Sequence, residues 1–149
     1  MRIALYQPEI AGNVGAVLRL AACMGVGVDI IEPTGFVYSD ARLRRAGMDY
    51  IDQVDLVRHS CWDAFQNARR GRLILLTTKG QHTLLELTYR NSDTLMFGRE
   101  SAGVPADVAA FCDERARIPM AASARSLNLA VSVGIATAEV LRQTGEWPK

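Results

Sequence analysis

Asn13, Gly15 and Arg19 fall in the spacing N-x-G-x-x-x-R, inside the stretch QPEIAGNVGAVLRL. The three residue types suit one kind of chemistry. An amide can hold a hydroxyl, a glycine lets a backbone or substrate come close, and a guanidinium grips anionic oxygen. On a helix beginning near Asn13, with Asn13 as its N-cap, Arg19 lies almost two turns on at a similar angle. The stretch lacks the Lys-Ser/Thr ending of a triphosphate loop and the G-x-G-x-x-G spacing of a dinucleotide site. Two further stretches carry the same mixture. In LMFGRESAGVP (95–105), Gly98 and Gly103 bracket a polar turn of Arg99, Glu100 and Ser101. In IPMAASARSLNLAVSVG (118–134), a loop poor in side chains leads to Ser126 or Asn128, either of which can cap the final helix while facing the same crevice. Taken singly, each reads as ordinary: a capped helix with one solvent arginine, a glycine turn, a simple cap.

These stretches need a frame that brings them together, and the chain supplies one. RIALYQ (2–7) and VDIIEP (28–33) are short β-type runs with the helical pattern NVGAVLRLAACMG between them and Gly25 as its stop. Strand, helix, strand in this length is a βαβ unit, which implies a parallel sheet and a right-handed crossover. The alternation continues. SDARLRRAG (39–47) reads as a short basic helix and QVDLVR (53–58) as a modest strand. SCWDAFQNARR (60–70) is amphipathic, with Trp62, Phe65 and Ala68 on one face. RLILLTTKG (72–80) and DTLMFG (93–98) are buried strands, PADVAAFCD (105–113) a helix with Pro105 in its first turn, and ARIPM (116–120) a last strand. The expectation is one α/β domain over residues 1–149, with a mostly parallel sheet of about six strands and helices on both faces. In such sheets ligands bind beyond the carboxyl ends of the strands, which is where all three stretches lie.

Composition narrows the function classes. The 149 residues carry a formal net charge of only +1, which argues against nonspecific coating of nucleic acid. Of the 17 basic residues only Lys79 and Lys149 are lysine. Arg42, Arg44 and Arg45 form the strongest arginine cluster, suited to successive phosphates, while Arg69, Arg70 and Arg72 form a weaker one. Cys23, Cys61 and Cys112 show no metal-type spacing and read as buried thiols in a reducing cytosol, so no metal and a cytoplasmic location are expected. No apolar run is long enough to span a membrane, and no signal peptide is apparent.

The stretches EIAGNVGAVLRLA, LMFGRESAGVP and IPM…RSLNLAVSVG resemble, in that order, the three motifs of the SPOUT superfamily of RNA methyltransferases, in its ribose 2′-O-methylating branch. DIIEPTGF (29–36) and RLRRAGMDY (42–50) further resemble the small single-domain tRNA (cytidine/uridine-34-2′-O)-methyltransferases. The likeness runs from Ile3 to Gly145. It implies a C-terminal trefoil knot, which sequence rules alone would not suggest. A helix beside a threaded segment benefits from small residues, and Ala130, Gly134, Ala136 and Ala138 could provide close packing.

The resemblance also implies methyl transfer from S-adenosylmethionine to the ribose 2′-oxygen of the wobble nucleotide of tRNA. By the motifs, Leu76, Gly98, Ile118, Met120, Ser126 and Leu127 would surround the cofactor. Arg19 would be catalytic, with Asn13, Ser126 and Asn128 holding ribose and phosphate. Arg42, Arg44 and Arg45 would meet the anticodon stem-loop, and the protein would act as a homodimer. Ala130-Val131 and Ala138 depart from the family pattern near the dimer and RNA contacts. The competing readings are a 2′-O-methyltransferase for another tRNA or rRNA position, a non-catalytic knotted RNA-binding protein, and a generic nucleotide-binding domain.

Overall fold

In the computed structural model, residues 1–39, 41 and 51–149 are described. The expected basic helix over 39–47 falls largely outside them, and Arg42, Arg44 and Arg45 with it. The strands are β1 (Arg2–Tyr6), β2 (Gly27–Ile31), β3 (Leu56–His59), β4 (Leu73–Leu76), β5 (His82–Thr83), β6 (Thr94–Phe97) and β7 (Glu114–Arg117). The helices are α1 (Ala11–Met24), α2 (Trp62–Ala68), α3 (Ala106–Phe111) and α4 (Leu129–Thr144), with a 3₁₀ turn at Ile51–Gln53. The strands form one sheet in the order β3-β2-β1-β6-β4-β7-β5, and every pairing is parallel.

Side-chain alternation divides the core into two layers. Ile3, Leu5, Val28, Ile30, Ile74, Leu76, Leu95 and Phe97 face α1 and α4, meeting Val14, Val17 and Leu18 on one helix and Val133, Ala136 and Val140 on the other. Ala4, Tyr6, Ile31, Leu73, Leu75 and Met96 face Phe65 of α2, Val108 of α3 and Cys112 just after it. Strands covered on both sides need continuous apolar runs, and β2, β4 and β6 are buried throughout.

Among the described residues there are seven strands where about six were expected. The extra one, β5, has two residues, paired with Ala116 and Arg117, and so short a segment shows no periodicity. β7 ends at Arg117 rather than continuing to Met120; Pro119 lacks the N–H a further ladder bond would use. α1 begins at Ala11, before Asn13, and its N-cap residue Ile10 provides no side-chain cap. Cys23 and Cys61 are exposed and only Cys112 is buried, its thiol pushed up to about 11 by that burial. Among the small residues of α4, Ala136 is fully buried. At Gly134 the nearest atom to an added Cβ, on Leu20, is 4.0 Å away, so α1 does not itself require a glycine there.

Charged groups at the amino end of the sheet are paired. Arg2 Nε donates to Asp29 at 2.6 Å, and Asp29 also meets His59 Nε2 at 2.8 Å. Arg72 donates twice to Asp93, at 3.2 and 2.7 Å, and the Arg90 amide donates to the same carboxylate at 2.9 Å. Asp93 is fully buried, so its removal strands a half-covered guanidinium. Asp93→Ala is expected to lower the unfolding free energy by about 2–4 kcal/mol in denaturant titration, and Asp93→Asn, which still accepts, by less.

Candidate active site

The loops leaving β1 and β6 are clasped together by two glutamates. The Glu100 carboxylate accepts from the Glu9 and Ile10 amides at 2.8 and 3.3 Å and from Asn13 Nδ2 at 3.1 Å. Glu9 in return accepts from the Ser101 amide at 2.8 Å and from its hydroxyl at 2.7 Å. α1 therefore receives at its entrance a carboxylate from a distant loop in place of a cap of its own, and negative charge there complements the helix dipole. The Ser101 donors hold the Glu9 carboxyl below its usual range. The Glu9 half of the clasp is therefore fully formed above the ordinary carboxylate range and is lost as the pH falls through that lowered value.

The same Asn13 carries the connection onward. Its Oδ1 accepts from Asn128 Nδ2 at 2.9 Å. Asn128 Oδ1 in turn accepts from the Ala130 and Val131 amides at 2.8 and 3.3 Å, capping α4. Of the two cap candidates it is Asn128 that does this. Ser126 lies exposed in the preceding loop and hydrogen-bonds to none of the described residues. Asn13 is thus a junction rather than the N-cap of α1, and all three stretches singled out in the sequence meet through it.

Arg19 stands apart from Asn13. Six residues at about 100° each leave the two side chains about 120° apart around the axis, not at a similar angle. The exposed stripe of α1 is Gly12, Ala16, Arg19 and Cys23, with Asn13 on its flank. Small side chains at 12 and 16 leave the approach from the helix entrance to Arg19 clear of bulk.

The fourth wall comes from the β4 exit. The Thr77 amide donates to Ala116 O at 2.9 Å, and Arg117 Nη1 donates to Gly80 O and Gln81 O at 2.9 and 3.0 Å. A Cβ at Gly80 would stand 2.6 Å from Arg117 N, and one at Gly98 would stand 2.5 Å from the Gly103 carbonyl carbon. Both glycines are therefore demanded by backbone packing against backbone. Of the residues expected around a cofactor, Leu76 is buried, Gly98, Ile118 and Met120 are half-buried, and Ser126 and Leu127 are exposed. The main-chain groups of Ile118, Met120 and Leu127 hydrogen-bond to none of the described residues. Unused amides and carbonyls beside apolar walls fit an adenosine, which needs both. No group of three or more His, Cys, Asp or Glu among the described residues is placed to hold a metal.

The SpoU rRNA Methylase family profile matches residues 1–138. The chain belongs to the SpoU methylase family. A tRNA (cytidine(34)-2′-O)-methyltransferase of Beijerinckia indica is 50% identical over 150 aligned residues, covering 99% of this chain and 94% of the relative. A solved structure concerned with 2′-OH methylation of C/U34 on tRNA superposes with a TM-score of 0.90 at 44% identity, covering 95% of this chain and 94% of the other. An AdoMet-bound rRNA methyltransferase from Sinorhizobium meliloti gives a TM-score of 0.84 at 29% identity, over 95% of this chain and 55% of that one.

Within this SpoU-family site, the sequence did not single out the Glu9–Glu100 clasp. Its two halves lie 91 or 92 residues apart in the chain, so no local pattern joins them. The weaker arginine group takes its ordinary reading. Arg69 lies 3.7 Å from Asp113, Arg72 pairs with Asp93, and Arg70 stands exposed. A cavity of about 400 Å³ lined by Arg2, Asp29, His59, Arg69 and Asp93 lies at the opposite end of the sheet. Glu100→Ala removes the carboxylate at the α1 entrance and frees Asn13. It is expected to lower stability by about 1–2 kcal/mol in thermal or denaturant unfolding and to reduce methyl transfer more than tenfold.

Proposed function

We propose that this protein transfers a methyl group from S-adenosylmethionine to the ribose 2′-oxygen of the wobble nucleotide, C or U at position 34, of tRNA. The observation that carries the reading is the junction at Asn13, which brings the substrate-side helix α1, the glycine turn 98–103 and the entrance of α4 into one site. The activity of the similar proteins described above points to the same nucleotide. The proposal includes a C-terminal trefoil knot, supported by the way the 77–81 loop is held against the end of β7 before the chain crosses to α4. It also includes a single domain and a cytoplasmic location.

S-adenosylmethionine, when bound, would supply the electrophilic methyl on a sulfonium. Main-chain groups at Leu76, Gly98, Ile118, Met120 and Leu127 would hold its adenosine, with Ser126 beside it. Asn13 and Asn128 orient the ribose, their amides already fixed by Glu100 and by the α4 amides. Arg19 grips the adjacent phosphate and stabilises negative charge developing on the 2′-oxygen. A guanidinium with a pKa above about 12 is a poor base near neutral pH, so its role is electrostatic. Arg42, Arg44 and Arg45 are assigned to the anticodon stem-loop backbone.

A homodimer completes the reading. Ile10 and Leu127 at the tied entrances of α1 and α4, and Val131 and Ile135 one turn apart on α4, are large apolar side chains left at least 39% exposed. A second copy laid over these entrances would cover them and would extend the surface available to a stem-loop.

Incubation with bulk tRNA and methyl-labelled cofactor is expected to place the label on the ribose of nucleotide 34; label elsewhere, or on rRNA alone, contradicts the assignment. Arg19→Ala is expected to lower kcat about 10²–10³-fold, with Arg19→Lys intermediate. Calorimetric binding of S-adenosylhomocysteine should stay within about threefold of wild type in both variants, since Arg19 acts on RNA rather than on the donor.

A further inference from the structure

Arg99 sits between Gly98 and Glu100 in the β6-exit turn, and its backbone is pinned in both directions to Gly103, at 3.0 and 2.9 Å. The side chain is half-buried, and its Nε is buried with no hydrogen-bond partner. The guanidinium carbon lies 5.7 Å from the centre of the Tyr6 ring. Tyr6 is itself held edge-on by Trp62, with ring centres 5.9 Å apart. Two carboxylates are nearby in the chain fold, and neither serves Arg99: Glu100 turns to the entrance of α1, and Glu9 accepts from Ser101. Arg99 nevertheless contributes to holding the Glu9 carboxyl low, which places its charge close to the clasp. A half-covered cation with an unmatched N–H is short of one anionic acceptor.

Resting on the proposed RNA-modifying reading, the geometry points to Arg99 as a phosphate-binding residue that takes a backbone phosphate of the RNA substrate, at a position separate from the one assigned to Arg19. The two terminal N–H groups, which unlike Nε are not buried, form a planar fork that matches two non-bridging phosphate oxygens. The side of the sheet decides between phosphate and the carboxylate of the methyl donor. Tyr6 and its neighbours belong to the layer under α2 and α3. Leu76 and Ile118, which belong to the expected donor site, lie in the layer under α1 and α4. Arg99 therefore reaches away from the donor, while Arg19 lies on the α1 side. The Tyr6 ring limits the motion of the guanidinium, which reduces the ordering needed when a phosphate arrives.

The test compares bulk-tRNA binding by wild type, Arg99→Ala and Arg99→Lys across a salt series, with S-adenosylhomocysteine binding measured in parallel by calorimetry. Arg99→Ala is expected to weaken tRNA binding about tenfold at moderate salt and to flatten the slope of log K against log salt by about one phosphate contact. Arg99→Lys keeps the charge and loses the fork, so its slope stays near wild type while affinity falls about threefold. S-adenosylhomocysteine affinity is expected to stay within about twofold in both. Unchanged tRNA affinity and slope in a folded Arg99→Ala protein overturns the inference. So does weakened S-adenosylhomocysteine binding with normal tRNA binding, which would assign Arg99 to the donor carboxylate. Should Arg99→Ala not fold, the Arg99→Lys result decides: an affinity equal to wild type overturns the assignment. Failure of the wild-type protein to bind tRNA at all contradicts the broader functional reading instead.

Discussion

One asparagine amide is shared between two partners, and the site depends on that sharing. Asn13 donates from Nδ2 to Glu100 and accepts at Oδ1 from Asn128. Each contact fixes the other, because donating from one end of the amide and accepting at the other leaves a single orientation of the plane. Asn128 is likewise committed at both ends, to Asn13 and to the first amides of α4. The result is a relay from the β6 exit through the α1 entrance to the α4 entrance, built from groups 87 and 115 residues apart in the chain. A reaction that needs an oxygen, a methyl group and a leaving sulfur in line gains most from such fixed positioning.

The two ends of the sheet divide the work. Toward the amino end, Arg2 pairs with Asp29 and Arg72 with Asp93, and Asp29 also takes the side chain of His59 at the end of β3. At the carboxyl end, half-buried or buried polar groups among the described residues are left unmatched: the main chains of Ile118 and Met120 and the Arg99 Nε. Buried or half-buried groups left unmatched in a folded chain are where a ligand gains most. The apolar layers between the two ends transmit rigidity, since β1, β4 and β6 have buried side chains on both faces.

Much of this was legible beforehand. The β1-α1-β2 unit announced itself through a change of period, and continuous apolar runs marked the doubly covered strands. Gly25 stops α1 in the left-handed conformation its type favours. What escaped the sequence was whatever depended on contacts across long separations. Ile10 occupies the N-cap of α1 because Glu100 provides the carboxylate there, so a rule seeking a polar cap moved the boundary to Asn13. β5 exists because β7 has a free edge to pair, not because His82-Thr83 has strand character. The small residues of α4 were read as a response to packing inside one chain, yet Gly134 has room.

The relay is tested most directly by a double-mutant cycle on kcat/KM for tRNA methylation, using Asn13→Ala, Asn128→Ala and the pair together. If the two amides act as one device, the second substitution does little further harm after the first, and the coupling is about 1 kcal/mol or more. Penalties that add to within about 0.3–0.5 kcal/mol would show two independent side chains and contradict the account.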